Sequence, residues 1–208
     1  MKKLFFALLL IGFVTNLFAQ DIQLPQPKKT GGKALMDCLN ERKSSRDFND
    51  TKEISEQTLS NLLWAAWGYN RADKRTAPSS RNKQEIDIYV VLKKGVYLWD
   101  TKTNVLKLII AQDLRKKTGT QTFVEKAPVN LIFVCNKRKA EAKTEQALTE
   151  ATYANAGYIS QNIYLFCASE GLATVVRGSV PKEDLGKLLN LSENQLIVLA
   201  QSVGYPAK

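Results

Sequence analysis

Not one histidine occurs in the 208 residues of this chain. Ser-His-Asp and Cys-His relays both need an imidazole, so neither is available. Most zinc and haem sites lose their commonest ligand for the same reason. Cysteine does not fill the gap. There are 3, at Cys38, Cys135 and Cys167, with no close pair among them. An odd count leaves at least one thiol unpaired. Each sits among apolar or helical neighbours, which favours buried free thiols, although the count also allows one disulfide. No internal repeat and no low-complexity stretch is present.

Long apolar runs are equally scarce. The one near the start, Leu4 to Val14, follows Lys2 and Lys3 and precedes Leu17-Phe18-Ala19. That is the layout of a secretory signal, and the uncharged stretch is short of the roughly 20 residues that cross a bilayer comfortably. Residues 1–19 are therefore expected to be a cleaved signal peptide, with an uncleaved anchor as the competing reading. The chain would be exported, periplasmic or secreted, with no stable membrane insertion after cleavage. No Cys directly follows the run, so lipid attachment there is not expected.

What is present is ordinary for a globular domain: 44% apolar and 24% charged residues. The formal charge of +10 favours anionic ligands. An exported chain rarely meets nucleic acid, so no nucleic-acid partner is expected.

Residues 20–32 hold two prolines and two glycines without periodicity and read as a linker or N-terminal arm. A helix is expected from Lys33 to Arg42, with Leu35, Met36 and Leu39 on one face. A second starts at Ser55, a good N-cap, and carries Leu59, Leu62, Leu63, Ala66 and Trp67 at helical spacing. Three strands, Ile86 to Leu92, Gly95 to Asp100 and Val105 to Ile110, are joined by short turns and predict an antiparallel meander. Asp113 to Lys117 reads as a short helix and Val129 to Cys135 as a buried central strand. One long helix is expected from Ala140 to Glu170, closed by Gly171. Its small residues, among them Ala154 and Gly157, suit core packing or a dimer interface. A strand over Leu172 to Val176, a helix over Lys182 to Leu189 and a strand over Leu196 to Val203 complete an α+β order.

Two polar segments carry the chemistry. Arg42-Lys43-Ser44-Ser45-Arg46 places three cations and two hydroxyls at a helix end, a set suited to phosphate; the plainer reading is a solvated face. Pro78-Ser79-Ser80-Arg81-Asn82-Lys83-Gln84 is a polar loop running into a strand, for which simple turn chemistry competes. Together they point to a phosphorylated cofactor held between them.

These residues also carry a resemblance. Arg42 to Phe48, Leu59 to Ala66, Pro78 to Gln84, Tyr158 to Leu165 with Gly171-Leu172-Ala173-Thr174, and Val203-Gly204-Tyr205-Pro206 resemble, in order, the motifs of the nitroreductase flavoproteins. Trp64 to Tyr69, Arg75 to Ser80 and Gly95 to Asp100 look most like the branch containing azoline-peptide dehydrogenases. The resemblance implies an α+β sandwich over residues 33–208, with a central, mostly antiparallel sheet flanked by helices and a long central helix at a homodimer interface. It implies FMN as cofactor. Arg42, Lys43, Ser44 and Arg46 would meet the FMN phosphate and ribityl chain. Ser79, Ser80 and Asn82 would approach the flavin, and the backbone of Val176, Arg177 and Gly178 would lie along its edge near N5. Arg177 is the candidate cation for the anionic reduced flavin. No side chain stands out as a catalytic acid or base.

The implied activity is ping-pong hydride transfer through flavin N5 to a small organic acceptor, with NAD(P)H as a donor in vitro. Two other readings stand beside it: a non-catalytic exported flavin- or ligand-binding protein on the same fold, and a basic surface that holds anionic glycans or lipids. Two departures matter. Glu85 stands where many relatives have Pro. The sequence ends at Lys208, soon after Tyr205-Pro206, where relatives continue to a basic phosphate ligand; Lys208 is the candidate replacement.

Overall fold

The computed structural model describes residues 20–207, so the segment expected as a signal peptide, residues 1–19, and Lys208 lie outside the described residues. Seven strands form one sheet in the order β1-β4-β3-β2-β5-β7-β6, and every neighbouring pair is antiparallel. The strands are β1 (Ile22–Gln23), β2 (Ile86–Leu92), β3 (Gly95–Asp100), β4 (Val105–Ile110), β5 (Val129–Asn136), β6 (Ala173–Arg177) and β7 (Gln195–Gly204). The helices are α1 (Leu35–Glu41), α2 (Glu56–Trp67), α3 (Glu145–Glu170) and α4 (Lys182–Leu188). The α+β expectation holds.

β5 is the keel of the sheet, and its apolar run follows from covering on both faces. Leu131, Phe133 and Cys135 enter the core under α2 and α3. Ile132 and Val134 enter a second core with Leu114, Leu185 and Leu189. α2 forms as its pattern demands: Ser55 Oγ accepts the Thr58 N–H at 3.1 Å, and Leu59, Leu62, Leu63, Ala66 and Trp67 are buried. α3 is capped by Thr144, whose hydroxyl accepts the Ala147 N–H at 3.1 Å, and ends at Gly171 with φ 67°, a left-handed turn that glycine adopts without strain.

Several boundaries differ from expectation. α3 begins at Glu145 rather than Ala140, because the helix starts where Thr144 can cap it. The segment expected as a helix from Asp113 to Lys117 is a short 3-10 turn over Arg115–Thr118. The arm at residues 20–32 is docked rather than a bare linker. β1 pairs with β4, Leu24 is buried, and the Pro25 carbonyl accepts from Ser60 Oγ and from Asn104 Nδ2. Ser60 and Asn104 are buried and bond to each other, and the Pro25 carbonyl takes the Ser60 hydroxyl proton, which ties the arm to the core. All three cysteines are free and buried.

Candidate functional site

The chain leaves α1 at Arg42 and runs past the start of β6, where the Ser45 N–H donates to Thr174 O at 2.9 Å. It then meets the C-terminus: Phe48 bridges to Pro206, and the Ala207 N–H donates to Asp47 O at 3.1 Å. Gly204 permits this approach, since a Cβ there would lie 2.6 Å from Pro128 Cδ and 3.0 Å from the Phe48 ring.

Tyr164 of α3 organises the segment. Its ring lies under the Arg42 guanidinium, 5.3 Å from centroid to Cζ. Its hydroxyl accepts the Val176 N–H at 3.0 Å and lies 2.7 Å from Ser44 Oγ. Three predicted site residues, Arg42, Ser44 and Val176, are thus brought together by a residue that the site prediction missed. The available signal was a tyrosine on the buried stripe of a helix, which must find a partner for its hydroxyl. Lys43, with Ser45 and Asp47, lines a cleft of about 580 Å³ walled by α1, the last turns of α3 and the start of β6. Burial pushes the Cys167 thiol in its wall well up, so it is not a nucleophile. Arg46 is exposed. Among the described residues none of the ion pairs involves Arg42, Lys43 or Arg46.

The second segment does not meet the first within one chain. The Ser80 N–H donates to Asn155 Oδ1 at 3.3 Å, and Asn155 is nine residues before Tyr164 on α3, about 13 Å at 1.5 Å per residue. Asn155 also donates to Glu85 Oε1 at 2.6 Å, so Glu85 is buried with Oε2 unpartnered. Ser79 Oγ accepts the Gln84 N–H at 3.0 Å. The Asn82 side chain donates to Asp73 O at 3.1 Å and accepts from Gln84 Nε2 at 3.0 Å. Two of the three predicted loop residues are therefore occupied in shaping the loop. Ser80 is exposed.

Arg177 also differs from expectation. Its guanidinium turns inward, donating to Thr118 O at 2.7 Å, Asn130 Oδ1 at 3.0 Å, Ser202 Oγ at 3.2 Å and Thr118 Oγ1 at 3.3 Å. No carboxylate compensates it among the described ion pairs. Burial lowers its pKa to about 10. A side chain so engaged is not free to contact a ligand, whereas Gly178 beside it is exposed. Among the described residues no group of three His, Cys, Asp or Glu could hold a metal ion.

The Nitroreductase family model matches residues 39–205. A Methanocaldococcus jannaschii protein assigned to the nitroreductases by name is 25% identical over 190 residues, covering 86% of this chain and 94% of its own length. A crystal structure of a nitroreductase assignment from Ralstonia eutropha superposes with a TM-score of 0.86 at 39% identity, covering 92% of each chain. A Desulfovibrio desulfuricans structure, described as a complex with FMN, shares the fold at TM-score 0.63 and 18% identity, covering 86% of this chain and 89% of that one.

Proposed function

The chain belongs to the nitroreductase family, and from that membership we propose an FMN-dependent oxidoreductase that acts on a small organic acceptor. The observation that carries the reading is the set at the end of α1: Arg42, Lys43 and Arg46, none of them in an ion pair among the described residues, around the Ser44 hydroxyl. Tyr164 Oη accepts the Val176 N–H and shares one hydrogen bond with Ser44 Oγ, in which either hydroxyl can donate. With Tyr164 as the donor, the Ser44 proton points outward to an anion. These residues fit a phosphate monoester: two forks, an ammonium and a short donor. FMN, when bound, supplies two-electron chemistry, taking a hydride at N5 and passing it on in a second half-reaction.

The residues hold and orient. Arg42, Lys43 and Arg46 grip the phosphate. Val176 and Gly178 offer backbone to the flavin edge. Arg177 leaves a buried, uncompensated positive charge between them, which favours negative charge on a neighbouring reduced ring. Ser80 reaches the flavin from a second copy of the chain, since within one chain its loop attaches nine residues away along α3. Support for a homodimer comes from exposed apolar side chains: Tyr158 of α3 and Leu35, Met36 and Leu39 of α1. NAD(P)H serves as donor in vitro. The same proposal carries export, with a mature N-terminus at Gln20.

The test is a visible spectrum and an FMN titration on residues 20–208. The expected protein is yellow, or becomes so on adding FMN. A colourless protein that takes up no FMN sinks the reading. Replacing both Arg42 and Arg46 by Ala removes two charge-assisted contacts of about 1.5–3 kcal/mol each, a loss of at least about 100-fold in affinity. Unchanged affinity overturns the phosphate assignment.

A further inference from the structure

Three non-glycine residues in four, Arg81, Asn82 and Gln84, have φ of 51°, 57° and 51°. Left-handed backbone is disfavoured for such residues, and a run of it persists only where surrounding contacts impose it. Arg81 and Lys83 pair with Glu141, while the contacts of the Gln84 and Asn82 side chains lead to Arg75. Its guanidinium lies between two rings, with Cζ 4.8 Å from the Trp67 centroid and 4.3 Å from that of Tyr69. It donates to Trp67 O at 2.8 Å, to Tyr69 Oη at 3.2 Å and to Gln84 Oε1 at 2.8 Å. Gln84 Nε2 then donates to Asp73 O at 2.7 Å and to Asn82 Oδ1 at 3.0 Å, and Asn82 Nδ2 donates to the same Asp73 O at 3.1 Å.

We propose that Arg75 is a positioning residue for the cofactor pocket. Acting through Gln84, it holds the 79–84 loop in the left-handed form that leaves Ser80 exposed toward a flavin. This rests on the flavin reading above. Arg75 has no ion pair among those described, and its donors go to neutral acceptors. It acts by shape: a flat fork stacked between rings fixes the direction of each N–H. A lysine would keep the charge and lose both the stacking and the fork.

The experiment titrates FMN into wild type, Arg75→Lys and Gln84→Glu, following absorbance band shape and melting together. Gln84→Glu keeps the acceptor for Arg75 and removes the two Nε2 bonds. Both variants are expected to bind FMN at least tenfold more weakly, with an altered flavin band. Adding Arg81→Gly to Arg75→Lys should recover part of that loss, because glycine adopts φ near 51° without a clamp at one of the three positions; a residue that merely stabilised the fold would not be rescued so locally. Should Arg75→Lys fail to fold, Gln84→Glu decides alone. Wild-type affinity and band shape in the folded variants overturn the proposal. Failure of wild type to bind FMN strikes the flavin reading instead.

Discussion

Tyr164 joins Ser44 to the β6 backbone: one phenolic oxygen stands 2.7 Å from Ser44 Oγ and receives the Val176 N–H at 3.0 Å. A helix residue thereby ties the Ser44 hydroxyl to the end of β6, the two places to which the proposal assigns the phosphate and the flavin edge. Tyr164→Phe keeps the ring under Arg42 and deletes both bonds. The Val176 N–H, partly buried, then lacks its partner, at a cost of about 1–3 kcal/mol. Melting should fall by several degrees, and FMN affinity should drop about tenfold. A variant with wild-type affinity would show that the hydroxyl plays no part in the site.

Asp100 gives a pH dependence of definite sign. Its carboxylate bonds Lys107 Nζ at 2.7 Å and accepts the N–H groups of Lys102 and Thr103 at 3.0 and 3.3 Å. The Lys107 bond foremost, opposed next by desolvation and then aided by the two backbone donors, lowers its pKa from 3.8 to about 2. A carboxylate with a depressed folded pKa stabilises the fold above its unfolded value and loses that contribution as pH falls through the folded one. The loss therefore falls between about pH 4 and pH 2. Lys107→Met should raise the Asp100 pKa toward 3.8, read by NMR titration, and shift acid unfolding to higher pH. An unmoved Asp100 titration would falsify the pairing.

Gly157 separates self-association from folding. A Cβ added there meets nothing within 4 Å in its own chain. It sits in an exposed stretch of α3 beside Ala154 and Tyr158. Within a lone chain Gly157→Arg should add up to about 1 kcal/mol through helix propensity. In a dimer packed on this stripe it must collide. The expected result is a folded monomer by light scattering that binds FMN far more weakly, because the partner's loop is gone. A dimer that forms unchanged moves the interface elsewhere.

The sequence was most legible where signals are local. α2 and the β2–β3–β4 meander follow from a Ser cap, helical spacing and two short turns, and they appear at the expected residues. The start of α3 was misplaced because Ala140 to Lys143 are good helix formers and propensity alone cannot see where the chain turns away. β1 escaped because two residues carry no periodicity, and what holds them down, the pairing with β4 and the bonds of Pro25 O to Ser60 and Asn104, lies far along the chain. The site was half legible. Arg42 and Ser44 could be read as a phosphate set, yet the Tyr164–Ser44 contact spans 120 residues, and the partners of Arg75 are two rings and a glutamine that no motif singles out. The two polar segments attach to different turns of α3, a spacing that no local signal in either segment shows.

Arg177 turns its guanidinium inward and packs it against the turn at Gly119. Its guanidinium fills a space that Gly119 leaves open; a Cβ at Gly119 would stand 2.1 Å from Arg177 Nη1. Gly119→Ala must push the guanidinium off Thr118 and Asn130, while Arg177→Met removes the donors outright. Unpairing buried acceptors costs about 1–3 kcal/mol each, so both variants should unfold at clearly lower denaturant. They act on the same network, so the double variant should cost less than the two singles added together. Once the side chain is Met, the methyl at position 119 no longer evicts a hydrogen-bonded cation. Strictly additive losses in that cycle would mean that the glycine serves the turn alone and that the close approach of Arg177 to it carries no energy.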